Sequence, residues 1–178
     1  EGHLMAVTDR AEQAAQVASA MALLRAAHGE VGGEIVSAGG TGTYDLHQAT
    51  GVTEVQAGSY ALMDTQYATL GLPFRQALFV VGTVISVGAG RAVADVGLKA
   101  LGMDHGNPSI DGERGPAGDV WFCSDEHLTF GPRSQVSVGD RVWVVPAHVD
   151  PTVAKHEAMW IVRGDEVIDR WPVDLRGW

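Results

Sequence analysis

Two short apolar segments in the first half of the chain each end in a glycine-containing loop. The first, residues 34–37, leads into Gly39-Gly-Thr-Gly-Thr43, and the second, residues 52–56, leads into Ala57-Gly-Ser-Tyr60. Strands followed by such loops at this spacing are typical of a parallel array of strands joined by connecting segments. The first half of the chain is therefore predicted to be of the α/β class.

An amphipathic helix is predicted ahead of these segments. Thr8 or Asp9 can cap its start, and apolar residues then recur with helical spacing up to Leu24 before Gly29 closes the pattern. With this helix the chain holds about three strand–helix units before the pattern changes, which is too few to close a barrel of eight.

The pattern changes to β-structure after Gly71-Leu-Pro73. The sequence Arg163-Gly-Asp-Glu166 predicts a hairpin turn between two strands, and the Gly-, Pro- and Asp-rich residues 107–118 predict a long loop. The predicted strands are residues 76–86, 91–96, 142–145, 159–162 and 167–171. The second half is therefore mostly β.

Composition excludes several classes of partner. The net charge of −10 argues against nucleic acid and against anionic membranes, because both favour basic surfaces. No apolar run is long enough to span a bilayer. The single cysteine, Cys123, excludes an intramolecular disulfide framework and fits a reducing compartment, so a cytoplasmic location is expected.

The segment from Arg141 to Thr152 carries the most specific pair of polar residues. An apolar strand leads into the corner Pro146-Ala-His-Val-Asp-Pro-Thr152. Residues two apart on an extended backbone project to the same side, so His148 and Asp150 are predicted to face one ligand. Imidazole nitrogen and carboxylate oxygen suit a divalent cation, with positions left for water or substrate. The alternative is a surface corner whose aspartate makes a turn hydrogen bond.

The two glycine loops are candidates for binding a phosphate group. Gly42 and Thr43 in the first loop, and Gly58, Ser59 and Tyr60 in the second, offer backbone N–H groups and hydroxyls at strand ends. Glycine-rich turns are often only turns. Two neighbouring loops of this kind nevertheless favour phosphate binding, as in many barrel enzymes.

Other polar residues give weaker indications. His3, at what reads as the end of a strand, could line the same site as His148, although a lone histidine is more often a packing residue. The cluster Ser124-Asp-Glu-His127 has acid–base capacity, or is simply a solvated helix start with Ser124 as its cap. Cys123 is predicted to be a core thiol rather than a nucleophile. Asp104-His105 is too generic a pair to support a prediction.

Taken in order, these motifs resemble the C-terminal half of D-threonine aldolase, in a family that also includes D-serine dehydratase and D-threo-3-hydroxyaspartate dehydratase. The resemblance covers essentially the whole chain. The motifs that carry it are Glu1-Gly-His-Leu-Met5, Ser37-Ala-Gly-Gly-Thr-Gly-Thr-Tyr44, Glu54-Val-Gln-Ala-Gly-Ser-Tyr60, Met63-Asp64, Ala94-Asp-Val-Gly-Leu-Lys-Ala100, Ser124-Asp-Glu-His127, Pro146-Ala-His-Val-Asp-Pro-Thr152 and Trp171-Pro-Val-Asp-Leu-Arg-Gly177.

The resemblance implies an alanine-racemase-like fold, with an eight-stranded α/β barrel that holds pyridoxal phosphate and a C-terminal β domain. Residues 1–72 would be the last part of the barrel, and residues 73–178 the mostly antiparallel β domain with the metal site. A homodimer is also implied. The family places its cofactor lysine near the start of the barrel, a region that is expected to be missing here, and neither Lys99 nor Lys155 matches it.

The reaction implied is the metal-assisted retro-aldol cleavage of a D-3-hydroxy amino acid, such as D-threonine to glycine and acetaldehyde. Gly42, Thr43, Gly58, Ser59 and Tyr60 match the loops that hold the cofactor phosphate.

The metal pair of the resemblance is His148 and Asp150. The dehydratases tend to carry cysteine at the position of Asp150, so aspartate favours an aldolase and manganese or magnesium over zinc. His127 and His3 are the candidate catalytic histidines. The alternatives are a dehydratase of the same family and a non-catalytic, metal-binding β-domain remnant, which the missing lysine favours for this chain alone.

Overall fold

The change of sequence pattern near residue 75 coincides with a change of structure. A computed structural model of the protein describes residues 1–177 and contains two units. Unit 1 comprises Glu1–Met63 and Tyr67–Arg75, and unit 2 comprises Asp64–Gln66 and the chain from Gln76 onward.

Helix α1, Arg10–Val31, is the main element of unit 1. It begins as predicted, because the side chain of Asp9 accepts a hydrogen bond from the backbone N–H of Glu12 and satisfies a free helical donor. The predicted end at Gly29 is wrong by two residues, since the helix continues to Val31 and Gly32 adopts a φ of +74°. Among residues 1–177, no helix combines the length and the apolar character needed to cross a membrane.

Strands β1, Ser37–Ala38, and β2, Glu54–Val55, pair in parallel in unit 1. Both are shorter than predicted, but their parallel pairing places the two glycine loops at the same edge, as the α/β interpretation requires. The first residues do not end a strand as predicted. They form a 3-10 helix, Gly2–Ala6, and further 3-10 turns follow the loops at Tyr44–Leu46 and Ser59–Ala61.

Unit 2 is built on an antiparallel sheet of six strands and a separate hairpin. Its elements in chain order are β3 Val80–Gly88, β4 Arg91–Ala94, β5 Ser109–Ile110, β6 Gly118–Cys123, β7 Leu128–Pro132, β8 Arg141–Val145, α3 Val149–Ala154, β9 Ala158–Arg163 and β10 Glu166–Pro172. The short helix α2, Thr65–Ala68, has residues in both units. The order across the sheet is β5-β8-β3-β4-β7-β6, and every neighbouring pair is antiparallel.

Several predicted boundaries in unit 2 need correction. The predicted strand over residues 76–86 begins only at Val80, and the predicted loop over 107–118 contains the short strand β5. Strands β6 and β7 were not predicted. The segment from Ser124 to His127 is the tight connection between them, where the Ser124 N–H donates to the His127 carbonyl, so the interpretation as a helix start is wrong.

The core of unit 2 lies against the six-stranded sheet and consists of aliphatic side chains around Phe130. Gly97 permits a close approach at its edge, because a Cβ there would lie 2.2 Å from the Ser124 carbonyl oxygen. The same contact allows the Leu98 N–H to donate to that carbonyl and the Lys99 N–H to donate to the carbonyl of Asp125. The turn after β6 is thus hydrogen-bonded to the segment that follows β4.

Candidate metal corner and phosphate loops

His148 lies at the junction of strand β8 and helix α3. Its backbone is extended, with φ −141° and ψ 119°, and it occupies the position just before α3. The N–H of Val149 donates to the buried carboxylate of Asp64 at 3.1 Å, and the Thr152 hydroxyl donates to the His148 carbonyl at 2.7 Å. The backbone that carries the imidazole is therefore fixed on both sides of His148.

A second segment of unit 2 is packed against this corner at Gly102. Gly102 and His148 form an antiparallel bridge, and the Gly102 N–H donates to the Thr152 hydroxyl at 2.9 Å. A Cβ on Gly102 would lie 2.4 Å from Cγ of Pro151, so only glycine fits this close approach. This contact brings Asp104 and His105 next to the His148 side chain.

The side chains at the corner form a compact polar cluster around His148. The Nδ1–H of His148 donates to Oδ2 of Asp104 at 2.6 Å, and Nε2 lies 3.5 Å from Oδ2 of Asp150. His105 stacks on the imidazole of His148 with ring centroids 3.9 Å apart and an interplanar angle of 13°. The predicted proximity of His148 and Asp150 is thus present, but the predicted reason is wrong, because Asp150 lies in α3 and not on an extended strand.

The cluster has the donor chemistry of a divalent-cation site. The hydrogen bond from His148 holds the pKa of the Asp104 carboxyl below its ordinary value, so this group is an anion at neutral pH. Potential ligand atoms of Asp104, His105 and His148 lie within 4.8 Å of one another. The side chain of His148 is 22% exposed and that of Asp150 is 75% exposed, so the corner is open to solvent on the Asp150 side. Imidazole and carboxylate donors fit an ion such as manganese, magnesium or zinc.

Asp104 and His105 were set aside in the sequence analysis as too generic a pair, and were not linked to His148. They precede His148 by more than 40 positions, and no periodic pattern links them to it. The only local indication is Gly102, whose glycine allows the backbone contact at Pro151.

The other proposed side chains in unit 2 lie elsewhere in its fold. His127 is exposed in the turn between β6 and β7 and is not part of the cluster around His148. Cys123 is partly buried against the core. Burial raises the pKa of its thiol, which disfavours the nucleophilic thiolate.

In unit 1 the two glycine loops lie next to each other. The Tyr60 N–H donates to the hydroxyl of buried Thr41 at 3.0 Å, which joins the second loop to the first. A Cβ on Gly58 would meet nothing within 4 Å, whereas a Cβ on Gly42 would lie 2.5 Å from Cβ of Met5. Gly58 is therefore open to a ligand, and Gly42 is required by packing against the first 3-10 helix. Loop N–H groups at the ends of two parallel strands fit a phosphate.

The hydroxyl of Thr43 has a partner inside unit 1. It donates to Oε1 of Glu1 at 2.9 Å, and Nε2–H of His47 donates to the same oxygen at 2.9 Å. The side chains of Glu1 and His47 are each only 2% exposed. Thr43 therefore holds its loop through a buried polar network, and His3 lies exposed on the 3-10 helix outside that network.

Replacing His47 with alanine is expected to destabilise unit 1. The change removes one of the two donors to Oε1 of the buried Glu1 and leaves only the Thr43 hydroxyl, and the loss of a buried hydrogen bond of this kind costs about 1–3 kcal/mol. Far-UV circular dichroism of urea unfolding measures the effect through α1. The exposed His3→Ala in the same unit is the control and should change the free energy of unfolding by no more than about 0.5 kcal/mol. Equal effects of the two changes would contradict a stabilising role for the network.

Part of the chain is similar to a known protein family. Residues 77–162 match the protein family described as "Putative serine dehydratase domain". The matched residues include strands β3 to β8 and the corner at His148.

The relatives of this chain act on D-hydroxy amino acids. The chain is 37% identical to a D-threonine aldolase of an Arthrobacter species, over 98% of this chain and 48% of the relative. It is 39% identical to a 3-hydroxy-D-aspartate aldolase of Paracoccus denitrificans, over 81% of this chain and 40% of that protein. The chain therefore spans about half the length of the curated relatives it matches.

Solved structures give the same result for the fold. A D-threonine aldolase from Filomicrobium marinum matches with a TM-score of 0.79 and 35% identity, over 93% of this chain and 47% of the other. An alanine racemase-like protein from Idiomarina loihiensis matches with a TM-score of 0.65 and 25% identity, over 81% of this chain and 44% of the other. The resemblance to D-threonine aldolase is confirmed, and the matching structures include an alanine racemase-like protein. The assignment of residues 1–72 to the last part of an eight-stranded barrel stays a prediction.

Proposed function

We propose that this chain forms the metal-binding part of a pyridoxal-phosphate-dependent lyase that cleaves D-3-hydroxy amino acids, with D-threonine yielding glycine and acetaldehyde. The observation that carries the proposal is the approach of His148 Nε2 to Asp150 Oδ2, 3.5 Å apart, in a segment that matches the serine dehydratase domain and in a chain that is similar to D-threonine aldolases.

Each site residue has a defined task in this proposal. His148 and Asp150 would hold the cation, which would supply Lewis-acid chemistry at the β-hydroxyl of the substrate. Gly42, Thr43, Gly58, Ser59 and Tyr60 form the loops that bind the cofactor phosphate. In these loops Thr43 acts by fixing the loop through Glu1, since its hydroxyl already donates to that carboxylate. Pyridoxal phosphate held by these loops would supply an electron sink for Cα–Cβ cleavage.

His127 and His3 are the candidate catalytic histidines of this proposal. Both side chains are exposed, and His127 lies in the turn between β6 and β7, outside the cluster around His148. Neither Lys99 nor Lys155 is assigned to the cofactor, and Lys99 forms an exposed ion pair with Glu126 at 2.6 Å. The proposal also includes a homodimer and a cytoplasmic location. It takes the lysine that binds the cofactor to lie outside the 178 residues of this sequence.

Two other functions are kept because specific observations favour them. The name of the matched domain favours dehydration, which would convert D-threonine into 2-oxobutanoate and ammonia. The second is a metal-binding β domain without catalysis, which fits the cluster of potential ligand atoms of Asp104, His105 and His148 in unit 2. Between the aldolase and the dehydratase, the carboxylate of Asp150 favours the aldolase, because the dehydratases tend to carry a cysteine thiolate at this position.

A product assay separates these functions. The chain alone, and the chain joined to the N-terminal half of the Arthrobacter aldolase, are incubated with pyridoxal phosphate, manganese and D-threonine. The joined protein is expected to release acetaldehyde and glycine in equal amounts. Release of 2-oxobutanoate instead would show a dehydratase, and no product from either protein despite bound manganese would show a non-catalytic domain. His148→Ala in the joined protein is the matched control for chemistry that depends on the metal corner.

Replacing Asp150 with cysteine is expected to change the metal preference of the chain. A thiolate is a softer ligand than a carboxylate, so affinity for zinc should rise relative to manganese. Competition between the two ions, followed by isothermal titration calorimetry, measures the ratio of affinities. Asp150→Asn is the control that removes the charge without adding sulfur. An unchanged ratio in the cysteine variant would show that residue 150 does not bind the ion.

A further inference from the structure

We infer that Asp104 and His105 are positioning residues for the metal corner. Asp104 accepts the Nδ1–H of His148 and thereby directs Nε2 towards the cation, while His105 fixes the plane of the ring. The inference deepens the proposed function, because it takes His148 and Asp150 as the residues that bind the cation.

The distances assign a different task to each nitrogen of His148. Two ligand atoms that each lie about 2.0–2.2 Å from one cation are about 2.8–3.1 Å apart at an octahedral angle and about 3.3–3.6 Å apart at a tetrahedral angle. The 3.5 Å between Nε2 of His148 and Oδ2 of Asp150 falls in the tetrahedral range and exceeds the octahedral range by a few tenths of an ångström. The 2.6 Å between Nδ1 and Oδ2 of Asp104 is instead the length of a direct, charge-assisted hydrogen bond.

A hydrogen bond at Nδ1 has a definite chemical consequence at Nε2. Neutral imidazole carries one proton, so a proton held on Nδ1 leaves the Nε2 lone pair for a cation. The carboxylate also raises the electron density on the ring and so strengthens it as a ligand.

His105 restricts the remaining freedom of the ring. Its imidazole lies parallel to that of His148 at 3.9 Å and covers one face, so rotation of His148 about its side-chain bonds would separate the two rings. Its own Nε2 lies 3.8 Å from Oδ2 of Asp104, beyond hydrogen-bond distance, so His105 does not compete for that oxygen. Both residues are brought to His148 by the backbone bridge at Gly102.

The competing interpretation makes Asp104 and His105 direct ligands. Their potential ligand atoms and those of His148 lie within 4.8 Å of one another. If the two residues position His148, manganese affinity should fall in steps as Asp104 is changed to Asn and then to Ala, and should barely change when His105 is replaced by another flat ring. If the two residues are ligands, manganese affinity should fall severely when either one is replaced.

The test measures manganese binding to the chain by calorimetry. Asp104→Ala is expected to weaken binding about 10- to 100-fold, with Asp104→Asn in between because its amide oxygen still accepts a hydrogen bond. His105→Phe keeps the stacking and should stay within about twofold of the unchanged chain. Asp165→Asn, an exposed aspartate in the turn before β10, is the matched control for loss of one negative charge.

Nitrogen NMR of the metal-free chain provides a readout that general destabilisation would not change. At about pH 8, where an ordinary imidazole is neutral, His148 should show a protonated Nδ1 and an unprotonated Nε2. Asp104→Ala should shift it towards the opposite tautomer while circular dichroism stays unchanged. This measurement tests Asp104 without any cation.

Three results would overturn the inference. Affinity in Asp104→Ala equal to that in Asp165→Asn, with an unchanged tautomer, would remove the positioning role alone and leave the proposed metal pair in place. Severe loss in both Asp104→Ala and His105→Phe would make the two residues ligands. Failure of the unchanged chain to bind manganese would remove the metal part of the proposed function together with the inference, and so is distinguishable from the first result.

Discussion

Replacing His148 with alanine is expected to weaken manganese binding to the chain by more than about 100-fold. The change removes the nitrogen donor of the corner and also releases Asp104 from its 2.6 Å hydrogen bond. The carboxylate of Asp150 remains but is 75% exposed, and a single solvated carboxylate binds divalent ions weakly. Calorimetry on chain freed of metal by a chelator measures the affinity directly.

A matched histidine separates this effect from loss of any imidazole. His28 lies at the end of α1 in unit 1, where its Nε2 contacts the Gly33 carbonyl, and His28→Ala should bind manganese as the unchanged chain does. Similar losses in the two variants would show that binding is dispersed over the acidic surface. If His148→Ala loses manganese binding while its sheet stays intact, a chelator should abolish D-threonine cleavage by the joined protein. Added manganese should then restore that cleavage.

The parts of this site that are local in sequence could be predicted, and those that depend on long-range packing could not. His148 and Asp150 are two positions apart, so any compact corner brings them together, even though the corner is the start of a helix and not an extended strand. Asp104 and His105 reach His148 only because Gly102 bridges to it against Pro151. That contact is decided by tertiary packing, which no local periodicity reports.

The fold follows the same rule. Strands β8, β9 and β10 were predicted because β-branched and aromatic residues recur in them between clear turn signals. Strands β6 and β7 were missed because Ser124-Asp-Glu-His127 offers both a helix cap and a turn, and propensity alone does not choose between them. The sheet selects the turn, since Gly97 lets the chain after β4 hydrogen-bond to the Ser124 carbonyl.

Replacing Phe130 with alanine is expected to lower the free energy of unfolding of unit 2 by about 3–5 kcal/mol. Phe130 in β7 is completely buried, lies opposite Ala92 in β4 and Val120 in β6, and is the largest fully buried side chain of the described residues. Its ring occupies the space above Gly118, where a Cβ would lie 2.4 Å from Cδ2. Neighbouring backbone therefore cannot close the cavity left by alanine without disturbing the β6–β7 pairing.

Phe122 on the adjacent strand β6 provides a control of the same residue type. It is 55% exposed and lies opposite Thr129, so Phe122→Ala should cost about 1 kcal/mol or less. Tryptophan fluorescence during urea unfolding measures both variants selectively, because no tryptophan precedes residue 121 and the four tryptophans that the structure describes lie in unit 2. Equal losses would contradict the assignment of the core to the Phe130 face of the sheet. A large loss confined to Phe130→Ala would show that the sheet carrying β8 and the metal corner is stabilised from that face.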